Sequence, residues 1–165
     1  MTMDKFRCRA KTRSEEETAA FAQQLAAALA ETDVVALVGK VGSGKSVFAR
    51  ALISALLAEA GRVEDIPSPT YTLVQTYEAR FEIWHVDLYR LDEPREILEL
   101  GLQDAFGSML CVVEWGDRIA EFLPGNTVRV ELEPVPGCWN SRIITVNTSC
   151  QAVAARIEGI QGSHE

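Results

Sequence analysis

Gly39-Lys40-Val41-Gly42-Ser43-Gly44-Lys45-Ser46 fits the spacing G-x-x-x-x-G-K-[ST], and each fixed position answers a need of a bound triphosphate. Gly39 and Gly44 allow turns that a Cβ would obstruct. The consecutive N–H groups from Val41 through Gly42, Ser43 and Gly44 then converge on phosphate oxygens, joined by the positive end of the next helix. Lys45 brings a cation to the β- and γ-phosphates, and the Ser46 hydroxyl is a ligand for Mg²⁺.

Such a site also needs a carboxylate near the metal, at the C-terminal edge of a parallel strand beside the loop strand, where ligands collect. Two residues compete. Glu114 follows Leu110-Cys111-Val112-Val113, an apolar run typical of a fully buried strand. Asp87 ends residues 81–87, which alternate and predict a more exposed strand. Burial favours Glu114 for the metal side. Asp87 is then free to orient an attacking water, its alternative being a turn residue that caps a backbone N–H. Thr70 is placed like a switch threonine after the loop's helix, or else simply opens the hairpin. His85 reads as a packing or hydrogen-bonding residue in preference to a general base. Trp84 and Trp115 read as packing residues, with Trp115 near the nucleotide because it follows Glu114.

The elements around these residues can be read from period and punctuation. Val34-Val35-Ala36-Leu37-Val38 is an apolar run for a buried parallel strand, and an Ala/Leu-rich helix follows the loop until Gly61. Strand, glycine loop and helix form the context the motif requires. Upstream, a strand is expected over residues 5–10. Ser14 with Glu17 then forms a capping box for a helix that places Phe21, Leu25 and Leu29 on one face. Residues 71–77 and 81–87 predict a hairpin. Pro94 starts a helix that Gly101 ends. A strand over 109–114, a short helix over 117–122, two strands near 127–133 and 142–147 that pair antiparallel, and a helix over 151–157 complete the order. Residues 159–165 read as a frayed tail.

The chain has 165 residues, 47% hydrophobic and 24% charged, which predicts one soluble α/β domain. No apolar run is long enough to span a membrane, and the start lacks the apolar stretch of a secretory signal. Cys8, Cys111, Cys138 and Cys150 lie far apart with no C-x-x-C pair, which fits a reducing cytoplasm over a zinc site or disulfide framework. Cys111 is expected to be a buried small hydrophobe. A net charge of −8 makes DNA or free RNA a poor direct partner.

Taken in order, the loop, Ser68-Pro69-Thr70-Tyr71, His85-Val86-Asp87-Leu88-Tyr89-Arg90 and Glu114-Trp115 resemble the bacterial TsaE family, the ATPase of tRNA threonylcarbamoyladenosine modification. The resemblance covers nearly the whole chain. It implies a P-loop NTPase-like three-layer α/β fold with a mixed central sheet and an antiparallel portion. It also implies weak, Mg²⁺-dependent ATPase activity and partnership with the TsaB and TsaD proteins, so that tRNA is met only through them. By position, Lys45, Ser46 and the loop backbone bind ATP and Mg²⁺, Glu114 is the second metal-side ligand, Asp87 serves hydrolysis and Thr70 lies in a switch-like segment. Ser14 and Arg142 match positions near the adenine. The chain departs from the family's usual G-D-L-G-A-G-K-T at Lys40, Val41, Ser43 and Ser46. Ser46 keeps the metal-binding hydroxyl, whereas Lys40 reverses a charge beside the phosphates. Gly116 replaces a usual proline and is expected to loosen the turn after Trp115. A small-molecule kinase would need an Arg-bearing lid, for which 165 residues leave little room. A GTPase would need N-K-x-D, which is missing. An ATP-binding scaffold without hydrolysis stays open because of Lys40.

Overall fold

The computed structural model describes residues 3–160 and 163–164. Eight strands form one sheet: β1 (Phe6–Thr12), β2 (Val34–Val38), β3 (Val74–Glu78), β4 (Glu82–Asp87), β5 (Leu110–Glu114), β6 (Thr127–Val135), β7 (Cys138–Thr148) and β8 (Ser163–His164). Their order across the sheet is β3-β4-β5-β2-β6-β7-β1-β8. The four middle strands, β4, β5, β2 and β6, run parallel, while β3, β7, β1 and β8 add antiparallel.

Burial explains the two innermost sequences. All five residues of β2 (VVALV) and all five of β5 (LCVVE) are buried, as expected of parallel strands covered on both faces. One face carries the helices α1 (Glu15–Ala28), α2 (Lys45–Glu59) and α4 (Gln151–Ile157). The larger core lies there, with Phe21, Leu25, Phe48, Leu52 and Ile157 packed on Leu37, Val112, Val130 and Val146. The opposite face is covered by the 3-10 segments Pro94–Leu98 and Gly116–Phe122 and by α3 (Leu102–Ala105). Ile97, Leu102 and Ile119 pack there on Val34, Val86, Cys111 and Val113. The result is the expected three-layer α/β arrangement with a mixed sheet.

Local signals decide the ends of elements. Ser14 caps α1, its Oγ accepting from the Glu17 N–H at 3.1 Å. The Glu17 carboxylate accepts from the Arg13 N–H at 2.7 Å, one residue earlier than a reciprocal box would place it. Gly61, with φ +72°, ends α2, and the Arg62 N–H returns to the Leu57 carbonyl at 2.8 Å. A second anchor sits at the base of the sheet. Asp33 accepts two bonds from the Arg156 guanidinium, at 2.6 and 2.7 Å, and so fastens α4 to the entrance of β2.

Five expectations change. The helix expected from Pro94 to Gly101 is a 3-10 segment of five residues, Pro94–Leu98, and Gly101 instead precedes the four-residue α3. The hairpin's first strand begins at Val74 because residues 69–73 close a turn, with the Leu73 N–H bonded to the Pro69 carbonyl at 2.7 Å and Leu73 at φ 66°. β4 is an interior strand between β3 and β5, and its last three residues are buried. Its alternation misled because β3 protects its edge and the second core takes Val86. Gly116 does not loosen its turn: it is buried, and a Cβ there would stand 2.7 Å from the Ala36 Cβ. In the stretch read as a frayed tail, Ser163–His164 pair with Cys8 and Arg9 of β1, whose free edge offers unpaired backbone groups; residues 161, 162 and 165 lie outside the described residues.

Candidate functional site

The loop between β2 and α2 has a shape that its residue types enforce. Gly39 has φ +154°, and a Cβ there would come within 2.5 Å of the Leu132 carbonyl oxygen. Gly44 adopts φ +100° as α2 begins. The first turn of α2 therefore follows directly, with its N–H groups unpaired within the helix and aimed at the loop's concavity. From the outer side Arg142 of β7 braces the loop. Its Nε donates to the Ser43 carbonyl at 2.7 Å and its Nη2 to the Gly42 carbonyl at 3.1 Å.

The concavity opens into a cavity of about 430 Å³. Val41, Gly42, Gly44, Lys45 and Ser46 form its loop side, and Thr70, Asp87, Tyr89, Glu114 and Trp115 the opposing wall. Sheet register brings the wall together. Asp87 and Glu114 are register partners on β4 and β5, and Glu114 is also opposite Leu37 of the loop strand. Both carboxylates thus stand at the C-terminal edge of parallel strands, as expected.

Lys45 is 5% exposed. Its Nζ donates to the Gly39 carbonyl at 2.7 Å, the Lys40 carbonyl at 2.8 Å and the Ser43 Oγ at 3.3 Å, and lies 4.0 Å over the Trp115 ring. Desolvation pulls its pKa below the ordinary lysine value, against the upward pull of Glu114, Asp117 and Asp87. A cation penalised by burial and facing carboxylates is poised to gain from an incoming polyanion.

Glu114 is 1% exposed, and both its oxygens are engaged. Oε1 accepts from the Ser46 hydroxyl at 2.7 Å. Oε2 accepts from His85 Nε2 at 2.7 Å. Asp87 is similarly divided: Oδ2 accepts from the Thr70 hydroxyl at 2.9 Å and Oδ1 from the Tyr89 N–H at 2.9 Å. Asp87 therefore caps a backbone N–H, its turn reading, while its other oxygen holds Thr70 at the cavity. Thr70 in turn shares a hydroxyl contact with Ser68 at 2.7 Å. Trp115 sits at φ 61° with its ring 5.2 Å from that of Tyr89.

Ser46 and Glu114 form a hard-oxygen pair suited to one flank of Mg²⁺. Among the described residues, no cluster of three His, Cys, Asp or Glu converges to hold a metal unaided.

Ser14 and Arg142 are both engaged in hydrogen bonds within the protein. The Ser14 hydroxyl is committed to its helix cap. Arg142 is committed to the loop, and its Nη1 also donates to the Trp139 and Ser141 carbonyls. A shallow depression behind Gly44 is lined by Arg142 with Glu15, Thr18 and Asn140, and Ser14 is not part of it. The sequence reading gave His85 a packing or hydrogen-bonding role, and the structure supplies the partner, Glu114. His85 is fully buried, and among the described residues Glu114 is the one hydrogen-bond partner of its ring, since Nδ1 has none there. The signal was in H-x-D itself: residues two apart on a strand share a face, so His85 had to point where Asp87 points.

Comparison with known proteins agrees with this architecture. Residues 12–141 match the family described as "Threonylcarbamoyl adenosine biosynthesis protein TsaE". A tRNA threonylcarbamoyladenosine biosynthesis protein TsaE from Rickettsia conorii is 40% identical over 137 residues, covering 82% of this chain and 75% of that protein. The protein of the same name from Bacillus subtilis is 33% identical over 125 residues, covering 74% of this chain and 75% of its own. The crystal structure of B. subtilis YdiB superposes with a TM-score of 0.77 at 26% identity, over 97% of each chain. The chain belongs to the TsaE family of tRNA threonylcarbamoyladenosine biosynthesis.

Proposed function

We propose that this TsaE-family chain binds ATP with Mg²⁺ in the loop cavity and hydrolyses it, as the accessory ATPase of the TsaB–TsaD pair. The observation that carries the reading is the 2.7 Å contact between the Ser46 hydroxyl and Glu114, at the mouth of the phosphate loop. Hydroxyl and carboxylate come from elements 68 residues apart in sequence, and a phosphate cradle with a metal flank gives that convergence a purpose. When bound, the ion neutralises charge on the β- and γ-phosphate oxygens.

The protein's own groups divide the remaining work. The loop N–H groups and Lys45 hold the phosphates, and Lys45 exchanges carbonyl partners for phosphate oxygens as it does so. Glu114 and Ser46 hold the metal side. Asp87 and Thr70 stand opposite and orient the attacking water, with Asp87 as the acceptor of its proton. Trp115 and Tyr89 wall the cavity against bulk solvent. The work of hydrolysis is spent on the partner complex, and the chain's negative charge assigns the bulk of tRNA binding to those partners.

The test is ATP turnover with purified TsaB and TsaD. Lys45→Ala is expected to abolish ATP binding, and Asp87→Ala to spare binding while turnover falls about 10²–10³-fold, the usual cost of one transition-state contact. Wild-type turnover by Asp87→Ala would remove that residue from the mechanism. Phosphate transfer to a small hydroxyl compound in place of water would replace the ATPase reading with a kinase.

A further inference from the structure

Two cations hold the carbonyls of the phosphate loop, one from each side. From the cavity side Lys45 takes the Gly39 and Lys40 carbonyls. From the outer side Arg142 takes those of Gly42 and Ser43, at 3.1 and 2.7 Å. The two holds differ in what an incoming nucleotide does to them. Lys45 lines the cavity, and on the ATP-binding reading above it gives up its carbonyls as phosphate oxygens arrive. Arg142 is not part of that lining, so its hold survives loading.

The outer hold fixes a direction. In a planar trans peptide the C=O and the N–H point opposite ways. Drawing the Ser43 carbonyl outward therefore turns the Gly44 N–H inward, toward the concavity that takes phosphate. The Gly42 carbonyl belongs to the peptide whose N–H, that of Ser43, closes the turn on the Lys40 carbonyl at 3.0 Å. Arg142 thus pins two successive peptides of the loop. Its own place is fixed in turn. Nη1 donates to the Trp139 and Ser141 carbonyls at 2.6 and 2.8 Å, and β7 is paired along both edges, with β6 and β1. Nε also stands 3.3 Å from where a Cβ on Gly44 would lie, so the guanidinium rests directly against the back of the loop.

We propose that Arg142 is a positioning residue for phosphate binding, which acts through the Gly42 and Ser43 carbonyls to keep the loop in its binding shape and makes no contact with the base. The inference rests on the ATP-binding reading above and departs from the place beside the adenine that the resemblance gives Arg142. Every nitrogen of the guanidinium is already engaged with a backbone carbonyl of the protein. That arrangement needs arginine. Its rigid fork spans carbonyls from the loop and from β7 at once, whereas the single ammonium of a lysine cannot.

The experiment measures calorimetric binding of ATP and of inorganic tripolyphosphate, each with Mg²⁺, to the full chain. The variants are Arg142→Gln and, keeping the charge, Arg142→Lys. A bond from a charged donor contributes a factor of about 10–100, and apparent affinity falls with the fraction of molecules in the competent shape. Both variants are therefore expected to lose about 10–100-fold for ATP and, by the same factor, for tripolyphosphate, which has no base. Wild-type affinity in Arg142→Lys would overturn the proposal by showing that charge alone suffices, and that arm stands even where Arg142→Gln does not fold. Weaker ATP binding with tripolyphosphate unaffected would overturn it by assigning Arg142 to the base, as would a wild type that binds ATP but not tripolyphosphate. A wild type that binds no ATP would overturn the nucleotide reading itself, and the brace with it.

Discussion

His85→Ala is the perturbation that most directly tests how the site is held. The ring is fully buried and donates to Glu114 Oε2 at 2.7 Å. The substitution leaves a carboxylate oxygen without a donor in a place that water does not reach, at a cost of about 1.5–3 kcal/mol for a bond to a charged group. The space left by the ring adds to this. A total of about 3 kcal/mol corresponds to roughly 6–12 °C in Tm for a domain of this size. The second effect is on the metal. A residue that orients a metal ligand typically carries 10–100-fold in metal affinity, so the Mg²⁺ concentration giving half-maximal ATP turnover is expected to rise by about that factor.

His85→Gln separates the two effects. Its amide reaches close to the position of Nε2 and can donate to Glu114, so it is expected to recover most of the Mg²⁺ dependence while still losing packing. ATP binding measured in EDTA should change little in either variant, because His85 touches no loop residue in the hydrogen-bond network. An unaltered Mg²⁺ dependence in His85→Ala would show that Glu114 needs no help to face Ser46. Equal loss of ATP binding with and without Mg²⁺ would show that His85 supports the fold alone.

Arg156→Ala should cost about 2–3 kcal/mol in urea unfolding, the low side for a broken buried pair because the guanidinium is 35% exposed while Asp33 is 3% exposed; Arg156→Lys should not restore it, since the fork geometry is lost. Gly116→Ala should cost about 1–3 kcal/mol through its approach to Ala36, and Ala36→Gly in the same chain should be less than additive, with strict additivity refuting the contact. Thiol labelling of the native protein at pH 8 should modify exposed Cys138 first. Burial pushes the Cys111 thiol up to about 12, leaving roughly one molecule in 10⁴ as thiolate at that pH, so early modification of Cys111 would contradict its burial. Lys40→Asp should change ATP affinity by less than about tenfold, because Lys40 contributes its carbonyl to Lys45 at 2.8 Å while its side chain is exposed, where a charge is well screened.

The sequence disclosed most where local composition equals local environment. β2 and β5 are continuous apolar runs because both their faces are covered, and the Ser14 cap and the Gly61 stop are signals confined to one turn. It disclosed least where the environment is supplied from far away. β4 alternates like an exposed strand, and only the partners β3 and β5 make it an interior one. Arg142 reaches carbonyls 99 and 100 residues distant, so no local pattern could reveal that it braces the loop. His85 is the intermediate case. The spacing to Asp87 fixed its face, but its partner depended on the register between β4 and β5.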